Sequence, residues 1–417
     1  MLPSGHIRGP WSSDRPSLKA SGERWLMMES IVDPTLLAEI RRYGHFDVDA
    51  CFNCGSCAAV CALSKDSALF PRRSMRFAQL GLREPLKRNL DSWLCYYCGD
   101  CSTTCPRQTE PGESMMTLRR WLTAQYDWTG LSRRMYLSPG WELGALAAVG
   151  GLVAWLISSF HGPMVLDHVE MNTFAPVWTV HTFDMILVVV LSFFLLSNVA
   201  RMWWFTMVQG GPGWRPLGAY AAELKTLILH SATQLRFGEC GKDYGRWIKH
   251  WVLATGYVTM FTLIVGFLWW FQTDNIYPLH HPQRWLGYLA TAALLYGTVE
   301  ILVGRLRKGE QLHKFSDLSD WLFPILLLLT TVTGISLHIF RYAGWPQGTY
   351  AMYAIHLVVA VPMLAVEVPF GKWAHLTYRP LAIYFQAVKD NVLRRQLRED
   401  AAGAGAESGS RQPVQVG

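Results

Sequence analysis

The sequence predicts an all-α chain in two parts, a cysteine-rich helical domain followed by a bundle of six membrane-crossing helices. Three observations predict it. Hydrophobic residues make up 51% of the 417 and charged residues 17%, well below the roughly 25% charged residues of a soluble domain. Eight of the nine cysteines lie at or before Cys105, whereas the long apolar runs lie after Trp141. Those runs approach the roughly 20 residues that a crossing needs, and in lipid a helix satisfies its own backbone polar groups.

The elements follow in chain order. Residues 1–32 are rich in Ser, Gly, Pro and charge, with no apolar core of a signal peptide, and read as a tail. The cysteine-rich part then stays in the cytoplasm, where thiols persist as thiols or metal ligands. The domain 33–140 opens with Asp33 as a helix cap, Pro34 at the first helical position, and Leu36, Leu37 and Ile40 on one face. A spacer at 70–82 is framed by Pro71 and Gly81 and reads as a short helix. Its Arg72, Arg73 and Arg76 offset a nearby negative charge, face an acidic partner, or form a solvated face.

Two cysteine runs flank that spacer. One is Cys51-Phe-Asn-Cys54-Gly-Ser-Cys57-Ala-Ala-Val-Cys61, the other Cys95-Tyr-Tyr-Cys98-Gly-Asp-Cys101-Ser-Thr-Thr-Cys105-Pro106. Both read C-x₂-C-x₂-C-x₃-C, the spacing that places three thiolates around a [4Fe–4S] cluster and sends the fourth to a neighbouring cluster. The expected ligands are Cys51, Cys54, Cys57 and Cys105 for cluster one, and Cys61, Cys95, Cys98 and Cys101 for cluster two. Zinc sites and disulfides are the competing readings, and neither uses this spacing. Ala62 stands where a proline is usual, which shapes a turn but binds no iron. Cys240, the ninth cysteine, reads as a reduced thiol in a loop.

The membrane part, 141–390, holds six apolar segments at 141–160, 178–200, 251–271, 285–303, 318–340 and 350–371. The last is interrupted by Pro362, Glu367 and Pro369. With the cysteines inside, the inner loops and tail carry seventeen Lys and Arg residues against two outside. The positive-inside rule then puts both termini on the cytoplasmic side of the inner membrane. Topology accounts for the net charge of +7, so no nucleic-acid partner is implied. Residues 391–417 read as a flexible tail.

Clusters carry single electrons, and a membrane half on the same chain suggests an onward relay through haem b held by two histidines. His250 and His375 lie near the inner face; His181, His338 and His356 lie near the outer one. His356 and His375 are about 28 Å apart along one helix, so one helix could serve two haems, with the bend at Pro369 aligning them. Each histidine could instead be a headgroup or loop contact. Asp184, Glu300 and Glu367 are ionisable groups in apolar segments, candidates for a proton or quinone site; snorkelling or pairing with Arg or Lys is the competing account.

Ala50–Cys61, the Pro71-Arg-Arg helix and Trp93–Arg107 resemble the QmoC family, the membrane subunits of quinone-interacting membrane-bound oxidoreductases. The front half is similar to the C subunit of heterodisulfide reductases, and the back half to the cytochrome b subunits of heterodisulfide and respiratory nitrate reductases. The resemblance implies a two-cluster, haem b subunit that links menaquinone or ubiquinone to soluble flavin and iron–sulfur partners, QmoA and QmoB, which face adenylylsulfate reductase. It further implies that His356 and the His375 of Pro369-Phe-Gly-Lys-Trp-Ala-His375 are haem ligands, as is His250. The family's second histidine on the His250 helix is replaced by Met260, so the outer haem's partner falls to His181, then His338, then Met260. A membrane subunit of a disulfide- or thiol-reducing complex, and a non-catalytic redox sensor or anchor, are the rival readings.

Overall fold

The computed structural model describes residues 31–64, 69–210, 216–240 and 244–409, without the side chains of Leu312 and 403–409. Most of the predicted 1–32 tail therefore lies outside the described residues. The described chain is all helical, with no strand among the described residues; Val32 and Leu82 form an isolated bridge.

The first part is a set of short helices around an aromatic core. Leu36–Arg41, Arg72–Gln79 and Pro111–Tyr126 bury Leu36, Ile40, Met75, Leu118 and Trp121 against one another. The first helix starts at Leu36, not at Pro34. The Asp33 carboxylate turns back onto Thr35, accepting from its backbone N–H at 2.9 Å and its hydroxyl at 2.7 Å. It also pairs with Arg83 at 2.7 Å, so Asp33 is spent on an Asx turn and an ion pair. The spacer helix runs from Arg72 to Gln79, and Gly81 follows with φ +68°, the left-handed conformation that ends many helices.

Six helices are long and apolar enough to cross a membrane: Pro139–Phe160, Val177–Val208, Tyr244–Gly266, Pro282–Arg307, Leu318–Tyr342 and Pro346–Phe370. The sixth packs against the first, second and fifth and is the most buried; the fourth lies between the third and fifth. Leu152, Trp155, Val189, Phe193 and Leu196 stay exposed, as suits helices whose outer faces meet lipid.

Four features differ from the sequence expectation. The third crossing begins at Tyr244 and stops at Gly266, and Leu268–Phe271 is a separate short helix. Leu217–Thr233, expected as loop, is a helix packed on the last one. The sixth helix ends at Phe370; Gly371 is extended, and after a short turn at Lys372–Ala374 a new helix opens at His375. Pro369 and Gly371 together explain the break, since neither favours a continuing helix. His356 and His375 therefore belong to different helices. The new helix runs on to Gly409, through the region expected as a flexible tail; its Ala, Arg and Glu residues are good helix formers.

Candidate electron-transfer site

The two cysteine runs fold into matching loops. Asn53 and Tyr97 have φ of 55° and 54°, and Gly55 and Gly99 both have φ 94°. In each loop a backbone N–H reaches the first thiol: Asn53 to Cys51 Sγ at 3.4 Å and Tyr97 to Cys95 Sγ at 3.3 Å. A short helix follows each, Ser56–Val60 and Asp100–Thr103. The glycine lets the chain turn tightly enough for amides to face sulfur, which a side chain at φ 94° would hinder.

The thiols gather crosswise. One pocket is lined by Cys51, Cys54, Cys57 and Cys105. Cys61 lies with Cys95 and Cys98, and Cys101 feels Cys95, Cys98 and Cys61. Burial, reinforced by neighbouring thiolates, pushes the Cys57 and Cys61 thiols up to about 11. A buried thiol of this kind stays protonated unless a cationic centre binds its thiolate. Among the described residues, no three His, Cys, Asp or Glu side chains converge closely enough to hold one metal ion.

The two sets differ in exposure. Cys54 is exposed, and beside it Arg72 donates to the Asn53 carbonyl at 3.1 Å while Arg107 lies over the exposed Phe52 ring at 4.5 Å. Cys95 and Cys101 are buried. Around them Arg119 donates to the carbonyls of Ser92 and Cys95, Arg379 lies over Tyr96 at 4.7 Å, and Arg246 donates to the Tyr97 carbonyl at 3.1 Å. Arg73 is not part of this group, because it is paired with Asp91 at 2.5 Å.

A cavity of about 360 Å³ lies between the Tyr96–Tyr97 stretch of the second loop and the membrane half. Tyr96, Phe237, Arg246, His250, His375 and Arg379 are among its walls. The Tyr96 and Phe237 rings are 5.0 Å apart, Phe237 and His250 5.3 Å, and His250 and His375 6.3 Å. Two imidazoles on opposite sides of one metal, with metal–nitrogen bonds of about 2 Å, put their ring centres roughly 6 Å apart. His375 Nδ1 contacts the Lys372 carbonyl at 2.5 Å, which fixes that nitrogen as the donor and leaves Nε2 free for a metal. Burial and the Arg379 charge hold His375 neutral, the form that ligates. His250 Nδ1 is buried with no hydrogen-bond partner. The pair fits a bis-histidine haem, and cationic side chains on the cavity wall suit its carboxylates.

The other predicted residues have varied surroundings. His356 Nδ1 is 3.0 Å from the Thr333 hydroxyl, with its ring against Gly334. His338 Nε2 is engaged by the Tyr288 hydroxyl at 2.8 Å, and would have to give up that bond to ligate. His181 is half-buried on the second crossing. Asp184, one turn on, has a buried Oδ2 without a partner. Met260 packs in a cluster with Tyr257, Leu294 and Met363. Glu300 pairs with Lys249 at 2.8 Å, and both side chains line the cavity. Glu367 is 1% exposed; its Oε2 accepts from the Lys372 N–H at 2.9 Å and its Oε1 has no partner.

Sequence reasoning missed Phe237, Arg119, Arg246 and Arg379. Arg379 had a signal, four residues after His375 and so on the same helical face. It also missed a charged junction: Arg120 reaches Asp320 at 2.8 Å, Asp317 at 2.5 Å and the Tyr43 carbonyl at 3.1 Å, and Lys372 pairs with Asp320.

Residues 47–109 match the family model of the 4Fe–4S dicluster domain. A protein of Archaeoglobus profundus that is like the C subunit of heterodisulfide reductase is 32% identical over 77 residues, 18% of this chain and 41% of that protein. The second iron–sulfur C subunit of the CoB–CoM heterodisulfide reductase of Methanocaldococcus jannaschii is 35% identical over 72 residues, 17% of this chain and 38% of that one. The chain thus spans about two fifths of the length of these two relatives. Citrate utilization protein B of Escherichia coli is 25% identical over 394 residues, 86% of this chain and 95% of that protein. No solved structure matches. The first part is therefore a two-cluster iron–sulfur domain related to the heterodisulfide reductase C subunits, an electron-transfer module, followed by six helices fit to cross a membrane.

Proposed function

We propose that the chain is the membrane electron-transfer subunit of a quinone-linked oxidoreductase complex, with the order quinone, haem b, cluster two, cluster one, soluble partner. The observation that carries this reading is the shared cavity, into which the buried thiol loop and the His250–His375 pair both look. His250 and His375 would hold haem b, which would supply a one-electron centre at the inner edge of the membrane half. The Phe237 ring lies between the Tyr96 ring and His250, at 5.0 and 5.3 Å, so aromatic groups line the path between the thiol loop and the histidine pair. The buried guanidinium groups of Arg119 and Arg379 lower the cost of adding an electron to the buried thiolate set. The exposed thiol set, with Arg72 and Arg107 at its rim, is the exit to a partner whose docking face is acidic.

A quinol releases two electrons and two protons, so the membrane half must also accept protons. Glu367, with an unpartnered buried oxygen and the buried Glu142 as neighbour, is the proposed acceptor near the inner face. Asp184, beside Tyr353 near the second and sixth helices, is the proposed acceptor for a site near the outer face, where His356 with His181, or less readily His338, would hold a second haem. Loop charge supports cytoplasmic termini. Soluble flavin and iron–sulfur subunits of the QmoA and QmoB kind, feeding adenylylsulfate reductase, are the proposed partners.

A second reading rests on the near full-length match to citrate utilization protein B. The same relay would then serve a partner that acts on a carboxylic acid rather than a sulfur compound. Rapid mixing of the anaerobic holoprotein with a quinol analogue tests the shared core: both haem and clusters are reduced within the mixing experiment. Clusters that accept electrons from dithionite but not from quinol would overturn it. Purification of the tagged chain with its native partners separates the two readings.

A further inference from the structure

The charged junction ends on a histidine. Arg120 stands on the helix Pro111–Tyr126 of the iron–sulfur domain, and its guanidinium meets Asp317 at 2.5 Å and Asp320 at 2.8 Å. These two acids open the fifth crossing. The loop before them rests on the same domain: the Tyr97 hydroxyl donates to the Gln311 carbonyl at 3.1 Å, Lys314 pairs with Glu110 at 2.5 Å, and Phe315 stacks on His45 at 4.2 Å. Asp320 Oδ2 accepts from Arg120 and from the Asp317 N–H, and its Oδ1 pairs with Lys372. Lys372 lies in the turn between the sixth crossing and the helix that opens at His375. Its N–H donates to Glu367 Oε2 at 2.9 Å, and its carbonyl accepts from His375 Nδ1 at 2.5 Å. Three polar contacts thus lead from the iron–sulfur domain to the imidazole: Arg120 to Asp320, Asp320 to Lys372, and Lys372 to His375.

We infer that Arg120 is a positioning residue for His375: through Asp320 and Lys372, the docked iron–sulfur domain holds the Lys372 carbonyl on the imidazole and so sets the reduction potential of a haem bound there. This rests on the reading of His250 and His375 as the haem pair. The turn that bears the carbonyl follows the extended Gly371, so the sixth crossing does not carry it rigidly; the Lys372 side chain and N–H hold it instead. A carbonyl that accepts from Nδ1–H makes the imidazole a stronger electron donor to a metal on Nε2. A stronger donor favours oxidised iron, so this bond lowers the potential, and slackening it raises the potential. The Arg120 charge acts in the opposite direction: its removal disfavours an added electron and lowers the potential. The sign of the shift therefore separates positioning from plain charge. The potential of the inner haem then depends on whether the iron–sulfur domain that exchanges electrons with it is docked.

The test uses the holoprotein in detergent, with haem absorption followed during a redox titration; the haem in question is the one that His375→Ala removes. Arg120→Ala is expected to shift its reduction equilibrium about tenfold toward the reduced form, which is 59 mV for one electron. Arg120→Lys keeps the pairing with Asp320 and is expected to recover most of the shift. Lys372→Gln leaves Arg120 and Asp320 paired and is expected to shift the equilibrium in the same direction, although it too removes a cation. It decides the matter should Arg120→Ala fail to fold. An unshifted potential, or a shift toward the oxidised form, overturns the proposal. So does the failure of both variants to hold the haem, which would make the junction a condition for haem binding rather than a control on potential. An unmodified protein without haem overturns the reading of the histidine pair as well, whereas a haem of unchanged potential overturns the positioning role alone.

Discussion

Replacing Arg120 by Ala should loosen the junction between the iron–sulfur domain and the membrane helices. The Arg120 side chain is 9% exposed and meets Asp320, itself 8% exposed, at 2.8 Å. It also meets Asp317 at 2.5 Å and the Tyr43 carbonyl at 3.1 Å, with Glu113 at 3.6 Å. Removing one member of a buried charge pair costs about 3–5 kcal/mol, because the remaining charge is left without its partner. Asp320 keeps Lys372 and its capping contact with the Asp317 N–H at 3.1 Å, which holds the cost to the lower part of that range. A loss of about 3 kcal/mol lowers the thermal midpoint on the order of 10 °C. The assay is thermal unfolding in detergent at fixed scan rate, with proteolysis of the segment between the halves as a second readout. Asp317 is 46% exposed, so Asp317→Ala should cost about 0–1 kcal/mol. In a double-mutant cycle, Arg120 and Asp320 should couple by about 1–3 kcal/mol. An Arg120→Ala protein within about 1 kcal/mol of the original would refute the reasoning, since the junction would then be a surface contact.

Other predictions follow from the same geometry. Cys61→Ser with Cys98→Ser should cost one cluster, while Cys61→Ser with Cys54→Ser should cost two, because the runs exchange their fourth ligands; iron analysis decides, and the reverse pattern, two lost in the first pair and one in the second, would sink the crosswise assignment. His250→Ala and His375→Ala should each abolish the same haem, and His356→Ala should leave that haem intact, as read from low-temperature absorption spectra. Burial raises Glu113 to about 7 from an ordinary 4.5, so the folded protein binds the extra proton between those values. Stability should therefore fall as pH rises from about 4.5 to about 7 and then level off, by on the order of 3 kcal/mol. Glu113→Gln should flatten the dependence of the thermal midpoint on pH across that window; an unchanged slope would contradict the assignment.

What the sequence makes legible here is what local spacing dictates. Two runs of thiols at fixed intervals specify turns that need a glycine after the second cysteine, and Gly55 and Gly99 both take that conformation at φ 94°. Six apolar runs of bilayer length specify six helices, since lipid leaves the backbone no other partner. Contacts between distant segments are not legible in this way. Nothing near Cys240 in sequence indicates that Arg236 and Arg246 will fasten its loop to Leu63 and Tyr97. The helix Leu217–Thr233 escaped notice because Glu223 and Lys225 break its apolar run, which hides an amphipathic helix from a search for crossings. Pro369 signalled a bend, but the full break at Gly371 depends on Glu367, whose Oε2 accepts from the Lys372 N–H across it. Glu300 shows another such contact: the sequence marks an acid in an apolar run, and the fold adds Lys249 as its partner on the cavity wall.

The most direct test of the central claim is the difference between the dithionite-reduced and oxidised spectra of the anaerobically purified chain, with iron, sulfide and haem counted per chain. The account predicts eight cluster irons, eight sulfides and at least one low-spin haem b that disappears when His250 or His375 is replaced. Eight cluster irons without haem would contradict it, because the cavity between Tyr96 and His375 would then hold no electron carrier and the membrane histidines no part in the relay.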